Sequence, residues 1–154
     1  MDPVPVRRLI ADASTRPAEE QVYLWAERHR FLKRRWDAAA EDGTPFAFDL
    51  ESRLRDGGVI FRAEHADYVI RQCPEPVYEI PLPDPEFAAL AGWRVGNLHL
   101  PVEISGTVLR VPRDAAVQDL LDREGWPGVA TDAVFRPLKV PPHPPFPPGP
   151  PRCP

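Results

Sequence analysis

The rhythm of hydrophobic and polar positions changes once along this chain, close to Cys73-Pro74. Before that point, apolar residues come in short runs separated by turn residues. Residues 22–26 form a β-prone run, and residues 31–36 are a second candidate strand. Over 44–50, Phe46, Phe48 and Leu50 alternate strictly with other residues, the mark of a strand buried on one side. Asp42-Gly43 is a hairpin turn leading into that strand. Asp56-Gly57-Gly58 is a second turn, followed by Val59-Ile60-Phe61, and residues 68–71 form the last strand before the proline. Four or five short strands at this spacing predict a small β-sandwich-like domain over residues 1–74.

From Glu75 the period lengthens. A strand at 77–80 precedes Asp84-Pro85-Glu86, which combines an N-cap, a proline at the first helical position and an acid in the first turn. Phe87, Leu90, Ala91, Val95 and Leu98 then recur at helical spacing, and Gly96-Asn97 is suited to closing the helix in a left-handed conformation. Strands are predicted at 100–104 and 107–111, joined by Ser105-Gly106. A second helix opens at Asp114, buries Val117, Leu120 and Leu121, and stops at Gly125; a last strand lies within 129–135. The order β-α-β-β-α-β over 75–140 is that of a ferredoxin-like domain, so the chain is expected to be α+β. Nine of the fourteen residues in 141–154 are proline, which predicts a disordered, polyproline-like tail.

The formal net charge of −4 argues against sequence-independent nucleic-acid binding. No apolar run approaches the roughly 20 residues of a membrane helix. The start of the chain lacks a basic segment followed by a hydrophobic one, so a cytoplasmic location is expected. Cys73 and Cys153 do not make a disulfide framework and are expected as free thiols. Serine-elbow, phosphate-loop, Cys-x-x-Cys and His-Glu-x-x-His patterns are missing, and the chain is not expected to be an enzyme.

The chemistry of interest centres on His99, at the corner between the first helix and the strand after it. On a strand beginning there, Leu100, Val102 and Ile104 face the core, while His99, Pro101 and Glu103 face away. One imidazole cannot fix a divalent ion, but a two-fold dimer supplies a second by symmetry. His29, set among arginines, and His65, with acidic neighbours and no second imidazole or thiolate near it, are not expected to be ligands. The basic run 28–35 has three readings. It is a strand with a solvated charged face, a surface for an acidic protein, or an RNA contact in which Phe31 and Trp36 stack on bases.

Val95-Gly96-Asn97-Leu98-His99-Leu100-Pro101, followed by Leu109-Arg110-Val111-Pro112, resembles the signature region of the UreE family of urease accessory proteins. Leu54-Arg55-Asp56-Gly57-Gly58-Val59 and Pro74-Glu75-Pro76-Val77 resemble the family's amino-terminal half and domain junction, so the likeness runs over about 22–140. It implies a nickel metallochaperone that delivers Ni(II) for assembly of the urease active site. The residue matching the family's principal ligand is His99, and a homodimer forms through this domain with the paired histidines near its axis. Implied partners are the urease accessory GTPase and apo-urease, with the amino-terminal domain in a protein-contact role.

Many members of that family end in a histidine-rich run; here the tail holds only His143 and Cys153. At about 3.1 Å per residue, His143 reaches some 9 Å beyond Val140, within range of an accessory role. Cys153 lies up to about 40 Å out and returns only if the chain bends, for example at Gly149. Zn(II) and Cu(II) should bind the same donors, and protons should compete for the imidazoles as pH falls. The competing expectation is a protein- or RNA-interaction module without metal.

Overall fold

A computed structural model describes residues 1–139. The expected tail, with His143 and Cys153, lies outside the described residues. The chain is a mixed α+β protein that divides into two compact units. One is Met1–Val77 with Ala130–Phe135; the other is Tyr78–Val129 with the residues from Arg136 on.

The first unit contains two three-stranded sheets built on one plan. Its strands are β1 (Val4–Val6), β2 (Gln21–Ala26), β3 (Arg35–Ala39), β4 (Pro45–Asp49), β5 (Val59–Arg62) and β6 (Asp67–Gln72). The sheets run β1-β4-β3 and β2-β6-β5. In each, a parallel pair (β1 with β4, β2 with β6) is extended by an antiparallel partner. Alternation in β4 buries Phe46 and Phe48 in a cluster that also takes Trp36 from β3, Leu24 from β2 and Ile70 from β6. Gly43 takes φ of 86° in the predicted hairpin turn. There Asp42 accepts from the Thr44 amide at 2.9 Å and from the Tyr68 hydroxyl at 2.7 Å.

Two strand expectations change here. Residues 28–32 form a 3-10 helix, and the strand expected at 31–36 begins only at Arg35. The alternation that holds it is Trp36 inward between exposed Arg35 and Asp37. Strand β1 was hidden by Pro3 and Pro5; it sits at a sheet edge, where proline's missing amide costs no ladder bond.

Asp67 is a buried carboxylate at 1% exposure. Its Oδ1 lies 3.3 Å from Arg16 Nε and 3.4 Å from Arg62 Nε, and its Oδ2 accepts from the Ser14 hydroxyl at 2.7 Å. These contacts tie the segment before β2 and the end of β5 to the start of β6.

The second unit is built around a four-stranded sheet to which β7 (Glu75–Pro81), β8 (Glu103–Ser105), β9 (Val108–Pro112) and β10 (Val129–Ala133) contribute. Its order, β10-β7-β9-β8, places the fourth and first strands side by side and the second at the edge, in agreement with the ferredoxin-like pattern. Helix α1 (Pro85–Gly96) starts where the Asp84 carboxylate caps the Phe87 amide at 2.7 Å. Helix α2 (Ala115–Glu124) is capped by Asp114 and ends at Gly125, which takes φ of 66°. Ala91, Val95, Val117, Leu120 and Leu121 pack with Ile80, Leu109 and Val111.

Here too the details depart from expectation. The strand expected over 100–104 is only Glu103–Ser105, so His99 and Pro101 belong to no strand and the alternation argument does not govern them. Leu100 and Val102 still pack against the core. Ile104 pairs with the buried Leu109 but lies on the edge strand and is 48% exposed. Glu103, expected on an open face beside His99, is buried instead. It lies 3.3 Å from Arg110 Nη1 and accepts from the Arg136 amide at 2.8 Å, so the chain's own later segment covers it. Its carboxylate is therefore committed elsewhere and does not support His99.

Replacing Asp67 by Ala removes the carboxylate shared by Arg16, Arg62 and Ser14, although Arg16 keeps Glu20 at 3.0 Å. Because Arg16 and Arg62 are partly exposed, the loss should be about 2 kcal/mol, below the 3–5 kcal/mol of a fully buried pair. Urea unfolding of wild type and Asp67→Ala checks this; equal midpoints would show that the carboxylate holds nothing together.

Candidate metal centre

The end of α1 sets the geometry of His99. Gly96 is the last helical residue, and Asn97 keeps right-handed helical dihedrals at φ −66° and ψ −17°. The left-handed closure expected at Gly96-Asn97 is thus displaced. The Asn97 amide reaches back to the Trp93 carbonyl, the Leu98 amide to Val95 and the His99 amide to Gly96, the last two at 3.0 Å. The chain finally reverses at His99 itself, which has φ of 56° and is the one non-glycine residue with positive φ among those described.

A left-handed backbone costs an L-residue about 1–2 kcal/mol. Here it is imposed from both sides, because Leu98 and Leu100 are each drawn onto the core. Two half-buried leucines packed on the core flank His99, whose side chain is exposed. Among the described residues, no group of three or more His, Cys, Asp or Glu side chains is placed to hold a metal ion. Among the described residues, this corner therefore offers a single exposed imidazole.

The surface around this corner is apolar. Leu90, expected to be buried, is 42% exposed, and Trp93 is 59% exposed with the Arg94 guanidinium 5.1 Å from its ring centroid. Three residues apart, they share a face of α1 away from the Ala91–Val95 stripe. The sequence carried this signal in Trp93, which falls outside the buried helical spacing. After β10 the chain returns to the same region, where the Leu138 amide donates to the Val102 carbonyl at 2.7 Å. The residues leading into 140–154 are thus anchored three positions from His99.

The remaining candidates behave differently. His65 is 87% exposed beside Glu64. His29 Nδ1 lies 3.1 Å from Glu27, and His29, Glu27, Cys73 and Glu75 line one cleft of about 310 Å³ in the first unit. That juxtaposition was not legible in the local sequence. Glu75 there is engaged by Arg28 through bonds of 2.8 and 3.0 Å. Burial and the charge of Glu27 push the Cys73 thiol up from its ordinary value, which disfavours the thiolate a metal needs. The base-stacking reading of the basic run also loses its rings. Trp36 is 7% exposed and stacked on Phe48 at 3.9 Å, and Phe31 packs against the core.

Comparison with known proteins bears on this corner directly. A family model for the UreE urease accessory protein, C-terminal domain, matches residues 75–141, which include α1, His99 and α2. The chain is 35% identical over 114 residues to a urease accessory protein UreE of Chelativorans sp., covering 71% of this chain and 69% of that relative. It belongs to the UreE family. Two further UreE relatives are 33% identical over 124 residues, in Rhodopseudomonas palustris (strain HaA2), and 32% identical over 130 residues, in Cupriavidus necator. These alignments take in 79% and 83% of this chain, and 56% and 66% of the relatives' own lengths. The family name describes an accessory to urease rather than a catalyst, in keeping with the missing enzyme signatures. No helix among the described residues is long and apolar enough to cross a membrane.

The backbone at His99 yields its own prediction. His99→Gly should unfold at the same or slightly higher temperature than wild type, because glycine adopts the left-handed conformation freely. His99→Val should lose about 1 kcal/mol or more, since a β-branched residue resists it. Thermal melts of the metal-free proteins check this; equal destabilisation by both would place the cost in the side chain instead.

Proposed function

We propose that this UreE-family chain is a nickel metallochaperone that holds Ni(II) between the two His99 imidazoles of a homodimer and delivers it for assembly of the urease active site. The observation that carries the reading is His99 itself: exposed, held in a left-handed turn between two half-buried leucines that pack on the core, and without enough partners among the described residues to bind an ion alone. A two-fold axis passing near it doubles the donors and covers Leu90 and Trp93, exposed apolar groups of the kind that mark interfaces. Imidazole suits a carrier, because it binds borderline divalent ions yet releases them to competing ligands or to protons. Zn(II) and Cu(II) are expected to compete for the same donors.

On this reading the work is divided along the chain. The amino-terminal domain, residues 1–74, is sandwich-like and makes protein contacts. Residues 75–140 bind the metal and dimerise, and the tail 141–154 supplies accessory donors. The Leu138–Val102 hydrogen bond supports a part for His143. Five residues past Leu138, it reaches about 15 Å from that anchor in an extended chain. Cys153 is a longer reach and the weaker donor on geometry. The recipients are the urease accessory GTPase and, through it, apo-urease, in the cytoplasm.

Equilibrium dialysis with NiCl2 tests the proposal. Wild type should bind one tight Ni(II) per two chains, and His99→Ala should weaken that event by at least roughly 100-fold, as expected for loss of a direct ligand. The variant should keep the wild-type melting profile without metal. Undiminished nickel affinity in a folded His99→Ala protein contradicts the site. A separate variant, Trp93→Glu, places a charge in the proposed interface. Sedimentation should show it shifted toward monomer, with tight nickel binding lost in parallel; an unaltered dimer would move the interface elsewhere.

A further inference from the structure

The 3-10 helix Arg28–Leu32 and the chain leaving β4 enclose a cleft of about 200 Å³ in the first unit. Its apolar lining includes Phe31 and the buried Leu50. Leu32 is 70% exposed at its lip. Lys33, Arg34 and Arg53 stand around it, with Glu51 the one acidic lining residue. The local ion pairs leave this charge uncompensated. Arg34 and Arg35 share the single carboxylate of Asp49 at 3.0 and 3.1 Å, and Arg7 takes Glu51 at 3.3 Å. Neither Lys33 nor Arg53 has an acidic partner among the described residues. The cleft is thus a locally cationic spot on a chain whose net charge is −4.

We infer that this cleft docks an acidic segment of a partner protein, with an apolar side chain of that segment seated against Leu32 and Leu50 and its carboxylates on Lys33 and Arg53. The inference deepens the proposal that the amino-terminal unit makes the protein contacts, and it rests on that reading. The chemistry favours protein over nucleic acid. Surfaces that bind single strands pair their cations with exposed aromatic rings; here Trp36 is buried against Phe48, and the cleft's one ring, Phe31, is half-buried and packed on the core. An exposed leucine beside an apolar lining, ringed by unpaired cations, matches recognition of an acidic motif with one hydrophobic anchor. Long-range attraction from the cations raises the encounter rate, and the apolar contact holds the complex once formed.

The test uses the full-length protein and an array of acidic twelve-residue peptides, each with a single Leu, Ile or Phe. Matched Lys-rich peptides and a 20-nucleotide single-stranded RNA serve as controls. The acidic peptides should bind, lose affinity as NaCl rises from 50 to 500 mM, and bind Lys33→Glu/Arg53→Glu roughly tenfold more weakly. Leu32→Ala should weaken binding severalfold without altering the salt slope. Absence of peptide binding, equal binding of acidic and Lys-rich peptides, or stronger binding of RNA overturns the inference. Nickel binding by the charge-reversed protein is measured alongside. Nickel retained without peptide binding defeats the docking cleft alone, whereas nickel lost in wild type defeats the metallochaperone reading.

Discussion

Helix α1 delivers the chain to Leu98 on the hydrophobic side of the second unit, and Leu100 must return to that same side two residues later. The single intervening residue takes up the reversal, and it does so in a conformation that costs an L-amino acid free energy. A glycine would relieve the cost. That a histidine occupies the position instead is what gives the corner its chemical character, because the two core-packed, half-buried leucines then act as a mount for one exposed imidazole. The exposed helix face at Leu90 and Trp93 and the anchoring of the later chain at Val102 gain their meaning from that mount. Strain of this kind persists only where surrounding packing enforces it, and here the packing is on both sides of the strained residue.

Much of this architecture was legible in the sequence because single residues carry it locally. Asp84 and Asp114 start the helices by capping amides, Gly125 ends the second by tolerating a left-handed φ, and Phe46 and Phe48 alternate into the core. What was not legible depends on distant partners. Pro3 and Pro5 disguise β1, which exists because β4 offers it an edge forty residues away. The 3-10 helix at 28–32 interrupts a run whose composition reads equally well as strand. Glu103 looks like an exposed polar position until the chain comes back over it at Arg136. At His99 the backbone differs from expectation: the reversal comes later than Gly96-Asn97 suggests, and the left-handed residue is the histidine.

The two units divide polar work from apolar work in complementary ways. In the first, arginines pair with buried or bridging carboxylates, as at Asp67 and Glu75, while Lys33 and Arg53 near Leu32 have no acidic partner among the described residues. In the second, Leu90 and Trp93 are exposed on the helix that leads to His99. A carrier that pairs with itself through one unit and with its recipient through the other requires this separation, since a single surface serving both would force the partner to compete with the dimer. The family assignment as an accessory to urease agrees with a protein whose chemistry is transfer rather than turnover.

The most direct measurement is X-ray absorption at the nickel edge of the fully loaded protein, comparing wild type with a mixed dimer in which one chain carries His99→Ala. Two symmetry-related imidazoles at one ion should give a scattering pattern from at least two rings in wild type and one fewer in the mixed dimer. Identical spectra, or a first shell without imidazole in wild type, would contradict an ion shared between two copies of His99.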